Sequence, residues 1–563
     1  MPKRNHKYIF VIGGVMSGVG KGIASSSIGK ILEAKGFVVN PVKIDPYLNV
    51  DAGTMNPTEH GEVFVLSSGL ECDQDMGNYE RFLGRDLTPD DYITSGMVYR
   101  HVIEKERNLG YKGKCVEALP HIPNEITRRI QKSAETTGSD ISLVEIGGTV
   151  GDYQNIMFLE AARILRLKNP DDVLFVLVSY LPIPHNLGEM KTKPTQTAVR
   201  MLNSYGIQPD ILIARASMPL DERRKEKLGI WCNVREDRVI SAPDIESIYD
   251  VPINFEKDNL GAVLLDALRL KSRVKKDGLS KWRGFVGRVK SVSEEVRIAI
   301  IGKYFDTGDF VLSDAYLSVI EAVKYSAYKC NRKPVLVWLN SKDFETGKAD
   351  VSSLKEYDGV IVPGGFGESG IEGKLAAIRF VREHKIPYFG LCYGMQLAVI
   401  EFARNVLGLK EATTTEIDPA TPHPVIDIMP EQKKNLAEEK YGATMRLGTY
   451  PCILKSGTIA FSAYPKLGNS TLNAKRSTLI HERHRHRYEV NPKYIADIEK
   501  GGMVFSGTSP DGVLMEIAEL PRKVHPFFLG TQFHPEFLAR PLAPHPLFTE
   551  FIKAAIAGTA KKK

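Results

Sequence analysis

Short, nearly unbroken runs of β-branched and aliphatic residues alternate along this chain with longer stretches whose apolar positions recur at helical spacing. In the first half five such runs predict strands at Tyr8–Ile12, Phe37–Lys43, Ile141–Ile146, Val173–Ser179 and Asp210–Ala214. They show no polar alternation, as expected for strands covered on both faces, so the sheet should be parallel with helical crossovers. The rhythm breaks between about Leu270 and Lys290, where LKSRVKKDGLSKWRGFVGRVK is rich in Lys, Arg and Gly. This segment reads as a linker, part of it helical. A second series opens at Val296 with VRIAIIG and continues through VLVWL, DGVIVPGG and PYFGLC. The expected architecture is α/β: two domains, each a mainly parallel sheet flanked by helices, at residues 1–270 and 296–558, with the linker over 271–295. There is no internal repeat.

Composition narrows the picture only slightly. A chain of 563 residues exceeds one hydrophobic core, and 43% apolar with 25% charged residues is ordinary for a globular protein. Its formal charge of +7, from 75 basic and 68 acidic side chains, is mild over this length. That balance suits anionic small molecules and does not call for a nucleic acid partner. The six cysteines are scattered without a CxxC pair, which gives no zinc signature and fits a reducing compartment. The N-terminal MPKRNHKYIFVIGG runs straight into a strand rather than a secretory leader, and no run approaches ~18 apolar residues. A cytoplasmic protein without a membrane partner is expected.

The first candidate chemistry is GGVMSGVGKG at Gly13–Gly22, between the first strand and a helical pattern. A strand, glycine loop and helix in that order aim backbone N–H groups at an anion, and Lys21 would reach its terminal phosphates. Two positions depart from the usual phosphate loop: Val15 stands for a glycine, and Gly22 for the hydroxyl residue that normally helps hold Mg²⁺. Another group must then hold the metal, and ECDQD (Glu71, Asp73, Asp75) and Glu145 offer the hard oxygens Mg²⁺ prefers. Taken alone, the loop reads equally well as a tight turn. Lys43 and the run Lys191-Thr192-Lys193-Pro-Thr-Gln196 add phosphate-seeking groups, although two lysines in a proline-containing loop are usually surface charge.

The blocks KIDPYLNVDAGT, HGEVFV, VEIGGTVGD, GE-KTKPTQ and SIYDVP, in this order, resemble the synthetase domain of CTP synthases across nearly the whole first half. The resemblance implies a P-loop-like synthetase that binds ATP through Ser17, Gly18, Val19, Gly20, Lys21, Gly22 and Lys43, with Arg215 and Asp244 at the adenine. It implies Mg²⁺ on Asp75 and Glu145. UTP, or CTP as feedback inhibitor, would be held by Ser17, Asp152, Gln154, Lys191, Thr192, Lys193, Gln196 and Lys227. Gln154 departs from the acidic residue usual in the family, which puts feedback inhibition, but not catalysis, in question.

In the second half, PYFGLCYGMQLAVIEFARNVLG predicts a strand at Pro387–Gly390, a tight turn carrying Cys392, and a helix over roughly Gly394–Leu407. Small neighbours let a bent chain present such a nucleophile, and a helix N-terminus favours its thiolate. Downstream, GTQFHPEF places His534 and Glu536 two residues apart, on one side of a strand if the segment is extended. His534 would be general base and acid for Cys392, with Glu536 orienting it. The glycines of VPGGFGESG (Gly364, Gly365, Gly367) allow backbone N–H groups to form an oxyanion hole with the Tyr393 N–H. A lone cysteine is more often a buried small hydrophobe. The ordered set PGGFG, GLCYGMQ, FHPE is similar to class I glutamine amidotransferases, which implies a Cys–His–Glu triad.

RHRHRYEV at Arg483–Val490 permits a nucleic-acid or metal reading by spacing alone. The resemblance instead implies glutamine framed by Gly364, Gly365, Phe366, Tyr393, Gln396, Glu416, Arg483 and Arg485. Tyr393 replaces the usual leucine. Ala443 replaces a glycine in the segment the family associates with its activator GTP, and Asp306–Leu312 looks inserted.

Together the two halves imply an ATP-dependent ligase that aminates UTP with ammonia from glutamine. ATP would convert O4 of the pyrimidine into a phosphate leaving group, and ammonia would displace it. The resemblance also implies an internal ammonia channel and a homotetramer, open to filament formation. Two other readings remain at this point: an amidotransferase with a different acceptor, and an inactive filament-forming relative.

Overall fold

In the computed structural model, residues 6–184, 188–302, 313–429, 432, 442–464 and 479–562 are described. The inserted segment Asp306–Leu312 lies outside them. The chain forms two compact units that do not follow chain order: Met1–Ala52 with Asp75–Val286, and Gly53–Gln74 with Gly287–Lys563.

The first unit is built on a seven-stranded sheet. In spatial order its strands are Tyr92–Thr94, Val39–Asp45, Ile141–Ile146, Lys7–Gly13, Val173–Tyr180, Ile211–Ala216 and Val239–Pro243. Every neighbouring pair is parallel. The five strands predicted from the apolar runs are all present; Ile141–Ile146 has the predicted bounds, and no end of the others shifts by more than two residues. The two outermost were missed: Tyr92–Thr94 has only three residues, and the apolar run of Val239–Pro243 is interrupted by Ser241 and ends on a proline. Pro41 sits where its strand is paired on one side only, because Tyr92–Thr94 joins from Lys43 onward. A missing N–H is tolerated there. Phe10, Val42, Val144, Phe175 and Leu177 from the sheet pack with Ile126, Ile130, Leu159 and Leu202 from the helices. Lys43 and Glu145 pair across the second and third strands in this order, near their carboxyl ends. Ligand sites of open α/β sheets form at those ends.

The basic segment after Leu270 is helical over Ser280–Ser291. Trp282, Phe285 and Val286 are buried, and the Trp282 indole N–H donates to the Tyr249 carbonyl at 2.8 Å.

The second unit holds a nine-stranded sheet. Five strands, Lys333–Asn340, Glu295–Gly302, Gly359–Val362, Tyr388–Leu391 and Phe528–Thr531, are mutually parallel. Met515–Glu519, Val504–Thr508, Arg446–Leu454 and Leu479–His486 continue the sheet antiparallel. The expectation of a mainly parallel sheet therefore describes one side of it. A hairpin of Val63–Val65 and Glu71–Asp73 belongs to this unit as well. Its core joins Val360, Tyr388 and Phe528 to Leu397, Ile400 and Phe402 of the helix Tyr393–Asn405. Among the described residues no helix is long and apolar enough to cross a membrane.

Candidate active sites

In the first unit, the loop after the strand Lys7–Gly13 turns through Gly18 and Gly20, whose φ values are 69° and 81°. Those values favour glycine, and the helix Lys21–Ala34 follows at once. Ser17, Gly18 and Gly20 are exposed while Val19 is buried. The Lys21 ammonium donates to the Gly148 carbonyl at 2.7 Å. Burial pulls Lys21 below the ordinary lysine value, against the opposing pull of Glu145, Asp75 and Asp45.

Lys43, almost fully buried, sits among three carboxylates: Asp75 at 2.5 Å, Glu145 at 3.0 Å and Asp45 at 3.7 Å. The second Glu145 oxygen accepts from the Tyr79 hydroxyl at 2.5 Å. Burial drives the Asp45 carboxyl up, and Lys43 only partly offsets it. For Asp75 burial acts in the same sense, but the Lys43 and Lys21 ammoniums outweigh it and hold the group low. Carboxylate oxygens of Asp45, Asp75 and Glu145 thus gather around the Lys43 ammonium, with Lys21 near enough to be felt by Asp75. Asp45, within KIDPYLN, joins this group only through the fold, which brings Asp75 to it from thirty positions along the chain.

The structure also explains Gly22. A Cβ built there would overlap the Asp75 carboxylate, so that carboxylate fills the space a serine or threonine side chain would take. Among the described residues no three His, Cys, Asp or Glu side chains form a complete metal cage. Asp75 and Glu145 nevertheless suit Mg²⁺, which keeps waters and phosphate oxygens in its shell. Gly22→Ser is expected to lower stability by about 1–3 kcal/mol through overpacking. Thermal denaturation checks this, and an unchanged midpoint would show that Asp75 moves aside freely.

The other residues assigned to nucleotides fall into separate groups. Arg215 and Asp244 pair at 3.0 Å. Thr192 and Lys227 line one cavity of about 670 Å³ with Arg223, Arg224 and Trp231. Gln196 donates to the Thr192 hydroxyl at 3.0 Å, Lys191 pairs with Glu189 at 2.5 Å, and Lys193 is exposed. Asp152 caps its own turn, accepting from the Thr149 N–H at 2.7 Å and its hydroxyl at 3.0 Å. Gln154 is exposed on the 3-10 turn Tyr153–Asn155 that follows.

In the second unit, Cys392 joins the strand Tyr388–Leu391 to the helix Tyr393–Asn405 with φ 48° and ψ −98°. A non-glycine residue in that region carries strain, as nucleophiles on sharp turns do. The turn works only with small neighbours: a Cβ on Gly394 would overlap the Val362 carbonyl, and one on Gly390 would meet Gly394 at 2.6 Å. His534 Nδ1 and Glu536 Oε1 lie 2.7 Å apart. They do not alternate on a strand as expected. The strand ends at Thr531, and Pro535–Leu538 forms a 3-10 turn that brings the carboxylate back to the imidazole. Burial alone would depress His534, but Glu536 and Cys392 raise its pKa to about 10. Its Nε2 is buried without a geometric hydrogen bond, yet it is close enough to feel the Cys392 charge.

A cavity of about 850 Å³ is lined by Cys392, His534, Gly364, Gly365, Phe366, Tyr393, Gln396, Glu416 and Arg485 among others. A Cβ on Gly364 would come within 2.9 Å of the His534 ring, so glycine is needed there. Gly367 is already engaged: its N–H donates to Glu416 at 2.9 Å, and its carbonyl accepts from the Tyr393 hydroxyl at 3.1 Å. That corrects the expectation that its N–H serves the oxyanion hole. Arg483 departs further. It is fully buried, with its guanidinium on the Val65 carbonyl and the Ser67 hydroxyl, each at 3.0 Å, and it is not among the residues lining the cavity. Arg485 does line it and holds Glu71 at 2.8 Å. His484 and His486 are buried 3.0 Å apart, and burial, with Arg446 beside them, drives both well below the usual histidine value. A solvated nucleic-acid face is thereby excluded for Arg483, His484 and His486. Ala443 takes φ 53°, in the left-handed region that favours glycine. The sequence reading also missed Gln532, whose side chain reaches Cys392.

The second unit thus has the parts of a cysteine-nucleophile amide hydrolase, and the first those of a phosphate-binding enzyme. Comparison with known proteins agrees. The family profile "CTP synthase N-terminus" matches residues 7–270, and "Glutamine amidotransferase class-I" matches residues 311–554. The CTP synthase of Pyrococcus furiosus is 50% identical over 551 residues, 98% of each chain. That of Halalkalibacterium halodurans is 46% identical over 551 residues, 98% of this chain and 99% of its own. A solved structure, the glutaminase domain of Trypanosoma brucei CTPS with bound acivicin, is 35% identical, with a TM-score of 0.41, and covers 46% of this chain and 94% of that one. The chain belongs to the CTP synthase family.

Proposed function

We propose that this chain converts UTP to CTP, with ATP as co-substrate and glutamine as nitrogen donor, the last step of pyrimidine nucleotide synthesis. The observation that carries the reading is the pairing, on one chain, of the Cys392–His534–Glu536 group with the Lys21–Lys43 carboxylate cluster. Cys392 attacks the glutamine amide, His534 gives the leaving ammonia its proton, and water hydrolyses the thioester. Glu536 stabilises the imidazolium and fixes its Nδ1–H. Glu416 and Arg485 offer opposite charges to the amino and carboxylate groups of the substrate.

Lys21 and Lys43 serve the ATP phosphates, and phosphoryl transfer asks mainly for such positioning and charge neutralisation. Asp75 and Glu145 would hold Mg²⁺, with Asp45 beside them, and the ion would supply charge neutralisation at the phosphates. Thr192, Lys227 and Gln196 hold the pyrimidine nucleotide, and Arg215 with Asp244 reads the adenine. The ligase chemistry is assigned to residues 1–270 and the glutaminase to 296–558, with the segment 53–74 contributing to the glutaminase unit. GTP activation, CTP inhibition, a cytoplasmic location and a homotetramer, with filaments as a further assembly, complete the proposal.

The test is CTP formation with UTP, ATP, Mg²⁺ or glutamine omitted in turn. The expected result is product only with both nucleotides and the metal, from glutamine or from added ammonia. Glutamate release without CTP under full conditions would overturn the ligase assignment.

A further inference from the structure

Gln532 is completely buried, one residue past the strand Phe528–Thr531 and two before His534. Its backbone N–H is held by the Glu516 carbonyl at 2.8 Å. Its side chain spans two groups: Nε2 lies 3.5 Å from Cys392 Sγ, and Oε1 lies 3.2 Å from Gln396 Nε2.

Which end of an amide faces which neighbour has to be argued from partners, and here one backbone group decides it. The Tyr488 carbonyl can only accept, so the Gln396 atom 3.0 Å from it is the amino group. That amino group's other hydrogen points to Gln532, so the Gln532 atom facing it is the carbonyl oxygen. The Gln532 amino group is therefore left facing sulfur. The chain runs in one direction, from the Tyr488 carbonyl through Gln396 and Gln532 to Sγ.

A donor at sulfur favours the thiolate over the thiol, since hydrogen bonds to a charged acceptor are roughly twice as strong as neutral ones. On the other side, Sγ lies 3.8 Å from the Arg485 carbonyl, which can accept from a neutral S–H only. The sulfur thus has one partner suited to each protonation state. His534 can take the proton from the thiol, and Gln532 meets the charge that results.

We infer that Gln532 is a thiolate-binding residue of the glutaminase, with its N–H aimed at Cys392 by Gln396. The inference rests on Cys392 being the nucleophile of the reaction proposed above. Its consequence falls on the attack step: glutamine still binds in the Gln532 variants, and the sulfur is less ready.

The experiment uses the full chain and the variants Gln532→Met, which keeps volume without a donor, and Gln532→Glu, which places an acceptor at the sulfur. Iodoacetamide alkylation of Cys392 is followed against pH, together with glutamine hydrolysis and ammonia-supported CTP formation. In the unsubstituted chain, alkylation of Cys392 must abolish hydrolysis; if it does not, the nucleophile assignment fails and not merely the role of Gln532. With that in place, Gln532→Met is expected to move the alkylation profile about one unit to higher pH. The same variant should lower kcat for hydrolysis about 10–100-fold with little change in KM, and Gln532→Glu should do more. Ammonia-supported synthesis, unchanged, reports an intact fold. An alkylation profile that stays in place in either folded variant overturns the inference and leaves Gln532 a packing residue.

Discussion

Cys392→Ala is expected to abolish CTP formation from glutamine, by a factor on the order of 10⁴ or more, while formation from ammonia continues. The factor is large because the triad acts as a unit. Without sulfur there is no thioester, and the His534–Glu536 pair has nothing to deprotonate. The fold should be indifferent. The cysteine and its flanking glycines occupy a turn whose small size is dictated by Val362 and Gly394, and alanine is no larger than cysteine. Side-by-side assays with glutamine and ammonium chloride at mildly alkaline pH, where free ammonia is present, make the measurement. Loss of both activities in a folded variant would mean that the two units do not divide the labour as proposed.

The second large effect is expected at Lys21. Replacing it with alanine should lower CTP formation from either nitrogen source on the order of 10³-fold, leaving glutamine hydrolysis measurable. Its ammonium is one of two positive charges set against Asp45, Asp75 and Glu145, so its loss leaves a site that repels a triphosphate. Lys43 is a poorer probe of the same idea. It is paired with all three carboxylates and nearly fully buried, and removing one partner of a buried charge group costs about 3–5 kcal/mol of stability. Lys21 spends its hydrogen bond on a backbone carbonyl, so the fold depends on it less. The comparison of hydrolysis with synthesis in one preparation checks the prediction, and undiminished CTP formation refutes it.

Much of the first unit was legible because its strands are buried on both faces and read as plain apolar runs. The phosphate loop, Cys392 and the His534–Glu536 pair were legible because each lies in a short contiguous motif. What stayed hidden depends on partners far along the chain. RLGTYPCIL and LIHERHRH form strands Arg446–Leu454 and Leu479–His486, yet their polar content masks them. Arg483 is buried because Val65 and Ser67 receive it, and neither is near in sequence. Nothing local marks Gly53–Gln74 as belonging with the C-terminal unit. Gln532 was invisible for a related reason: its function lies in the direction of an amide, which is set by Gln396 and the Tyr488 carbonyl.

The overlap between residue 22 and the Asp75 carboxylate has a consequence for how this loop can evolve. A side chain at 22 and the Asp75 carboxylate compete for one volume, so the effects of substitutions at the two positions are expected not to add. Restoring the usual loop pattern by a single substitution collides with Asp75, and shortening Asp75 alone leaves Lys43 with one fewer counter-charge. The constraint on the glycine thus comes from a residue more than fifty positions away, outside any local loop pattern.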